Sequence, residues 1–165
     1  MTKHEKLELV QAFEEAYNGI ANLIAVLPDE ALLFIPPVPD AWSTNDHLAH
    51  LLDADISTCF RLRVSMAQPG FAVPVWEEEE WHALLHYEAE DGRRCFELAL
   101  GLRAIACASI KANIDLDWNE FWVHHPVRGK MGLVDLLAMY RDHGKTHEGY
   151  IKRNKEAWEA HQKKA

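Results

Sequence analysis

The sequence predicts an all-α four-helix bundle, because four long stretches carry apolar residues at helical spacing, none reads as a convincing strand, and proline-rich breaks separate them. At 165 residues, with 48% hydrophobic and 26% charged residues, the chain has the length for one packed core. A single domain over residues 1–165 is therefore expected.

The first helix is predicted from Lys3 to Leu27, where Val10, Phe13, Ala16, Tyr17, Ile20, Leu23, Ile24 and Leu27 form one stripe. Pro28-Asp29 ends it, and Pro36, Pro37 and Pro39 forbid regular structure in the loop before Trp42. Ser43-Thr-Asn-Asp46 matches a capping box, so a second helix is expected from there to about Met66. After the break from Gln68 to Pro74, a third helical region begins in the acid run Glu77 to Glu80 and continues to about Ile110, with Gly92 as the place for a kink or a split. The glutamates themselves read as a solvated face or a helix start. Asn113 to Lys130 has no sustained period and is expected to be a structured connector with one short helical turn. The fourth helix covers Met131 to about Glu159.

Seventeen Lys and Arg against twenty-six Asp and Glu give a formal charge of −9, which leaves no electrostatic footprint for nucleic acid. No window approaches the roughly 18 unbroken apolar residues of a membrane span, and no signal-type leader is legible, so a soluble, cytoplasmic protein is expected. Cys59, Cys95 and Cys107 form no C-x-x-C pair and read as core thiols.

On a wheel of about 100° per residue, His143 and His147 fall within the stripe of Leu133, Leu136, Leu137, Tyr140, Gly144, Ile151 and Trp158. Two inward imidazoles at i, i+4 can reach one metal ion, and without a partner they would be costly to desolvate. Glycine follows His143, which argues against a zinc-protease H-E-x-x-H helix, and only one E-x-x-H occurs, which argues against a di-iron bundle. A third ligand has to come from another helix. The second offers His47 and His50, between which the wheel does not choose.

His82 and His86 also stand at i, i+4, but they cluster with Arg93 and Glu97 and read as exposed. Arg103 lies on an apolar stripe and needs an acid partner, such as Glu88, or else anchors an anionic substrate group at the metal pocket. Tyr140 is a pocket-wall or core residue, and His124-His125 reads as rim or loop. Asp46 and Asp142 stand near enough in sequence to the histidines to orient an imidazole or accept a proton.

Trp42-Ser43-Thr-Asn-Asp46-His-Leu-Ala-His50-Leu resembles the W-S-x-x-E/D-x-L-x-H-L signature of the DinB-like superfamily, which includes the YfiT-type metal-dependent hydrolases. Gly129 to Leu137, followed by His143-x-x-x-His147-x-Gly149-x-Ile151, is similar to that family's second signature. The resemblance spans essentially the whole chain. It implies a four-helix bundle with a metal ion on His50, His143 and His147, and leaves His47 as a pocket residue or a support to the ligands. Glu148 and Tyr150 depart from the residues that relatives often carry there.

With three imidazoles as ligands, open positions remain on a divalent ion such as zinc or nickel. The expected activity is hydrolysis of a small molecule, or transfer by a low-molecular-weight thiol bound to the metal. The alternative is a non-catalytic metal-binding or ligand-sensing bundle. Trp76 and Trp122 read as exposed residues of a dimer face or pocket rim, and a homodimer is expected.

Overall fold

The computed structural model describes residues 1–164. Its bundle is built from α1 (Lys3–Glu14) continued by α2 (Asn18–Ala25), α4 (Thr44–Ala67), α6 (Gly92–Ala112) and α7 (Leu133–Gln162). Two short helices, α3 (Asp29–Leu33) and α5 (Glu78–Leu85), lie in the connections. α4 packs against both α6 and α7, and α1 closes the bundle from the other side against the same two helices. Among the described residues no helix is long and apolar enough to cross a membrane.

The predicted first helix tightens into one 3₁₀ turn at Glu15–Tyr17 before α2 resumes, and α2 ends at Ala25 rather than Leu27. Close packing accompanies this joint, since a Cβ on Gly19 would overlap the Glu148 carboxylate of α7. α4 starts as predicted, with Ser43 and Asp46 forming the reciprocal capping box. The third region is split rather than kinked: His86 takes a left-handed conformation at φ 55° and ends α5, and α6 begins at Gly92. Asn45 holds this joint, donating to the carbonyls of Tyr87 and Glu90 and accepting from the amide of Gly92.

The expectation of no strand is corrected by a small three-stranded sheet. β1 (Phe71–Ala72) runs parallel to β2 (Trp122–His125), which pairs antiparallel with β3 (Gly129–Gly132). His125 is buried inside this hairpin, where its Nδ1 accepts from the amides of Val127 and Arg128 at 3.2 Å. The strands are two to four residues long, too short for alternation to register against the helical pattern. The predicted short helical turn in this connector is present at Trp118–Glu120. The sheet closes one end of the bundle, with Val123 and Met131 joining the core of Val10, Phe13, Leu62, Ile110 and Leu136.

Arg103 is 2% exposed and pairs with Asp55 of α4, itself 1% exposed, at 3.1 Å, not with Glu88. The guanidinium also donates to the Phe13 carbonyl and stacks on the rings of Phe13 and Tyr17, 4.1 and 3.7 Å from their centroids. Cys95 and Cys107 are buried and Cys59 half-buried, and burial raises the first two thiols to about 11. Removing one partner of a buried pair strands the other charge, so Arg103→Met and Asp55→Leu should each lower unfolding free energy by about 3–5 kcal/mol in urea. The double variant should lose less than the sum; strict additivity would show that the two charges do not depend on each other.

Candidate metal centre

The first two turns of α4 are buried on every side, because the loop carrying Trp42, the start of α6 and the face of α7 all close over them. That is why an apolar arc could not separate His47 from His50: they are 4% and 0% exposed. His50 faces His143 and His147 across the α4–α7 contact. The Nε2 atom of His143 lies 3.1 Å from Nε2 of His50 and 3.1 Å from Nε2 of His147, so three ring nitrogens converge on one point. Two nitrogens held about 2.0–2.1 Å from a common ion stand about 2.9–3.4 Å apart at octahedral to tetrahedral angles, which these spacings match.

His47 supports this set from behind. Its Nδ1 lies 3.1 Å from Nδ1 of His147, so when Nε2 of His147 offers its lone pair, the remaining N–H points at His47. Among the described residues the Nδ1 atoms of His50 and His143 have no hydrogen-bond partner. Trp42 spans the cluster, with its ring 5.4 Å from His50 and 5.6 Å from His47, and Trp76 covers His50 from the other side at 5.4 Å. Trp76 and Trp122 are half-buried rather than exposed.

Several other residues fall differently from expectation. His82 is not an exposed partner of His86: its ring stacks flat on Trp42, 4.6 Å between centroids and 9° between planes, and its Nε2 is 3.7 Å from Asp46. Asp46 thus caps α4 and meets His82, while Asp142 is exposed and paired with Arg141. Tyr140 is buried in the core, where its hydroxyl accepts from Arg61 at 2.6 Å. Neither Tyr140 nor Arg103 lines the cavity beside the histidines.

That cavity, of about 330 Å³, is walled by Trp42, His47, His143, His147 and Tyr150, with Asp40, Glu78, Glu79 and Arg153 supplying its charges. Glu78 was hidden in a run of four glutamates, where nothing distinguishes one from its neighbours. In the fold its Oε2 comes within 3.9 Å of Nε2 of His50. Tyr150 could have been found by continuing the His143–His147 side of the α7 wheel by two turns, whereas Arg153 lies off that side and is brought to the cavity only by the fold.

Burial is the largest cause of the lowered imidazole pKa values, and nearby charge follows: Arg153 at His47, Arg103 at His143, the other imidazoles at His50 and His147. His47 and His50 are held down at about 3 and His143 at about 4, with His147 lowered further. All four are neutral at pH 7, as metal ligation requires. The unfolded imidazoles protonate near 6.5. Below that pH the unfolded chain binds more protons, so metal-free protein should lose stability as pH falls from about 6.5 toward 4, and be unaffected by these groups above 7. Each imidazole can contribute up to about 1.4 kcal/mol per pH unit in that window. Urea midpoints measured from pH 7.5 to 4.5 should fall with a slope above one proton; a flat profile would mean the cluster titrates normally.

A family profile described as the DinB superfamily matches residues 12–151. A Bacillus subtilis (strain 168) protein named "Putative metal-dependent hydrolase YfiT" is 20% identical over 151 residues, covering 92% of this chain and 84% of its own. A Geobacillus thermodenitrificans relative named "Putative metal-dependent hydrolase" is 24% identical over 153 residues, covering 92% and 85%. The solved structure of YfiT, described as having "an unusual four-helix bundle topology", superposes with a TM-score of 0.81 over 94% of this chain and 89% of that one, at 20% identity. With the profile covering most of its length, the chain belongs to the DinB superfamily.

Proposed function

We propose that this protein is a metal-dependent hydrolase of a small molecule, with one divalent ion held by His50, His143 and His147. The observation that carries this reading is the convergence of three neutral, buried Nε2 atoms beside a cavity of about 330 Å³. The names of the relatives from Bacillus subtilis and Geobacillus thermodenitrificans support the same reaction class. A zinc- or nickel-like ion held by His50, His143 and His147 would supply Lewis acidity and make a nucleophile's proton easier to remove.

The chain's own residues do the rest. His47 fixes the tautomer of His147 through the Nδ1 contact and so aims its Nε2. Glu78, whose carboxylate is pushed above the usual range by burial and by Glu79 and Glu77, takes a proton from the attacking group at Oε2. Trp42 and Trp76 flank His50 and keep bulk water from that side.

Protein purified without a His-tag or nickel column should contain close to one equivalent of metal, and His50→Ala, His143→Ala and His147→Ala variants with native circular dichroism should contain almost none. Glu78→Gln should keep the metal and lower kcat by about 10²–10⁴ on a substrate found by screening esters, amides and thiol-transfer pairs. A wild type that stays metal-free after incubation with zinc, nickel and manganese would replace this reading with the ligand-sensing bundle. Turnover only in the presence of an added thiol would replace hydrolysis with transfer.

A further inference from the structure

The cavity beside the histidines has one cationic side chain in its wall, and it is Arg153. Arg153 stands six positions after His147 on α7, about 9 Å along the helix axis. The guanidinium is fixed in place: Nε and Nη2 donate to Oδ1 of Asn154 at 3.2 and 2.9 Å, and the group lies 5.3 Å from the centroid of the Tyr150 ring. Asn154 is itself 1% exposed and anchored, its Nδ2 donating to the carbonyl of Trp42 at 2.9 Å. Two of the five guanidinium N–H groups are used on Asn154, which leaves the end-on edge, one hydrogen of Nη1 and one of Nη2, for a ligand.

No carboxylate comes within 4.0 Å of this guanidinium among the described residues, although the chain carries nine more acids than bases and three acids line the same cavity. Of those three, Glu78 is directed at His50. A half-buried arginine held by a buried amide and an aromatic face, with a free planar edge, is arranged for a planar anion.

We propose that Arg153 seats the carboxylate of a small-molecule ligand, whose reacting group then lies at the His50, His143 and His147 end of the cavity. This rests on the hydrolase reading for the identity of the reacting end but not for the binding of the acid end. The ligand class is a short-chain carboxylic acid derivative, small enough to lie within a cavity of about 330 Å³.

The test uses protein stripped of metal by chelation, so that no carboxylate can bind an ion, and the same protein reloaded with zinc. Straight-chain carboxylates from acetate to heptanoate and the matching neutral amides are titrated, with tryptophan fluorescence as the readout, since Trp42 forms part of the wall. In the stripped wild type at least one acid should bind saturably and at least tenfold more tightly than its amide. Arg153→Met should lose that preference while keeping its circular dichroism spectrum and its zinc uptake, and Arg153→Lys should retain part of it. Binding of no acid, equal binding of acid and amide, or an unchanged preference in Arg153→Met overturns the proposal. Loss of zinc uptake by Arg153→Met also overturns it, because Arg153 would then be a support for the histidines. Failure of the wild type to take up zinc, with acid binding intact, would instead count against the hydrolase reading alone.

Discussion

The histidine cluster depends on how α7 is turned about its own axis, and one contact fixes that turn. Gly144, between His143 and His147, lies so close to the Tyr17 ring that a Cβ there would stand 2.8 Å from Cε1. Rotating α7 in either direction would open this contact or drive side chains into it, so both imidazoles are committed to the α4 side. Tyr17 is in turn held from beneath by Arg103 of α6, and Arg103 by Asp55 of α4. A single chain of contacts, from α7 to the 3₁₀ joint to α6 to α4, therefore ties the four sides of the bundle together beside the site. This also explains why the protease motif is absent. A glutamate after His143 would have to occupy the space that Tyr17 fills.

Arg103 shows what a sequence can and cannot say about a buried charge. Its place on an apolar stripe correctly marks it as an arginine that needs an acid, but the partner, Asp55, is 48 residues away and one helix over. Nothing in the spacing points there. The substrate-anchor role considered for Arg103 is the one proposed for Arg153, an arginine of the opposite character. Arg153 borders the buried face of α7 beside Asn154, and only the fold reveals that the Trp42 loop, pinned by Asn154, turns that border into a cavity wall.

The bundle and the α7 histidine pair were legible because long helices write their buried face into the sequence at a fixed period. The breaks were less so. The left-handed turn at His86 has no glycine to announce it, and it is Asn45, from α4, that gathers the carbonyls and amide of the joint. The three strands are shorter than the window in which a period can be recognised. The choice between His47 and His50 needed the family signature, since α4 is enclosed at that level and both positions are interior. His82 reads as surface by its own helix and is drawn to the site by Trp42, a residue of a different segment.

The division of labour between helices bears on what the site can do. The three converging nitrogens sit on α4 and α7, whose buried faces, like that of α6, run through both halves of the core, and such placement on rigid elements holds their geometry. Glu78 sits on α5, an eight-residue helix with no buried residue, held to the bundle by the stack of His82 on Trp42 and by Trp76 against His50. Local opening costs least where apolar burial is least, so opening α5 costs less than opening the helices that carry the histidines. A proton acceptor on such an element, the role proposed for Glu78, could adjust to a substrate while the three histidines stay fixed. With the acid-bearing helix on one side and the Arg153 edge held rigidly on the other, the adjustable wall is the one that meets the reacting group. The wall that would seat the substrate's far end is preorganised.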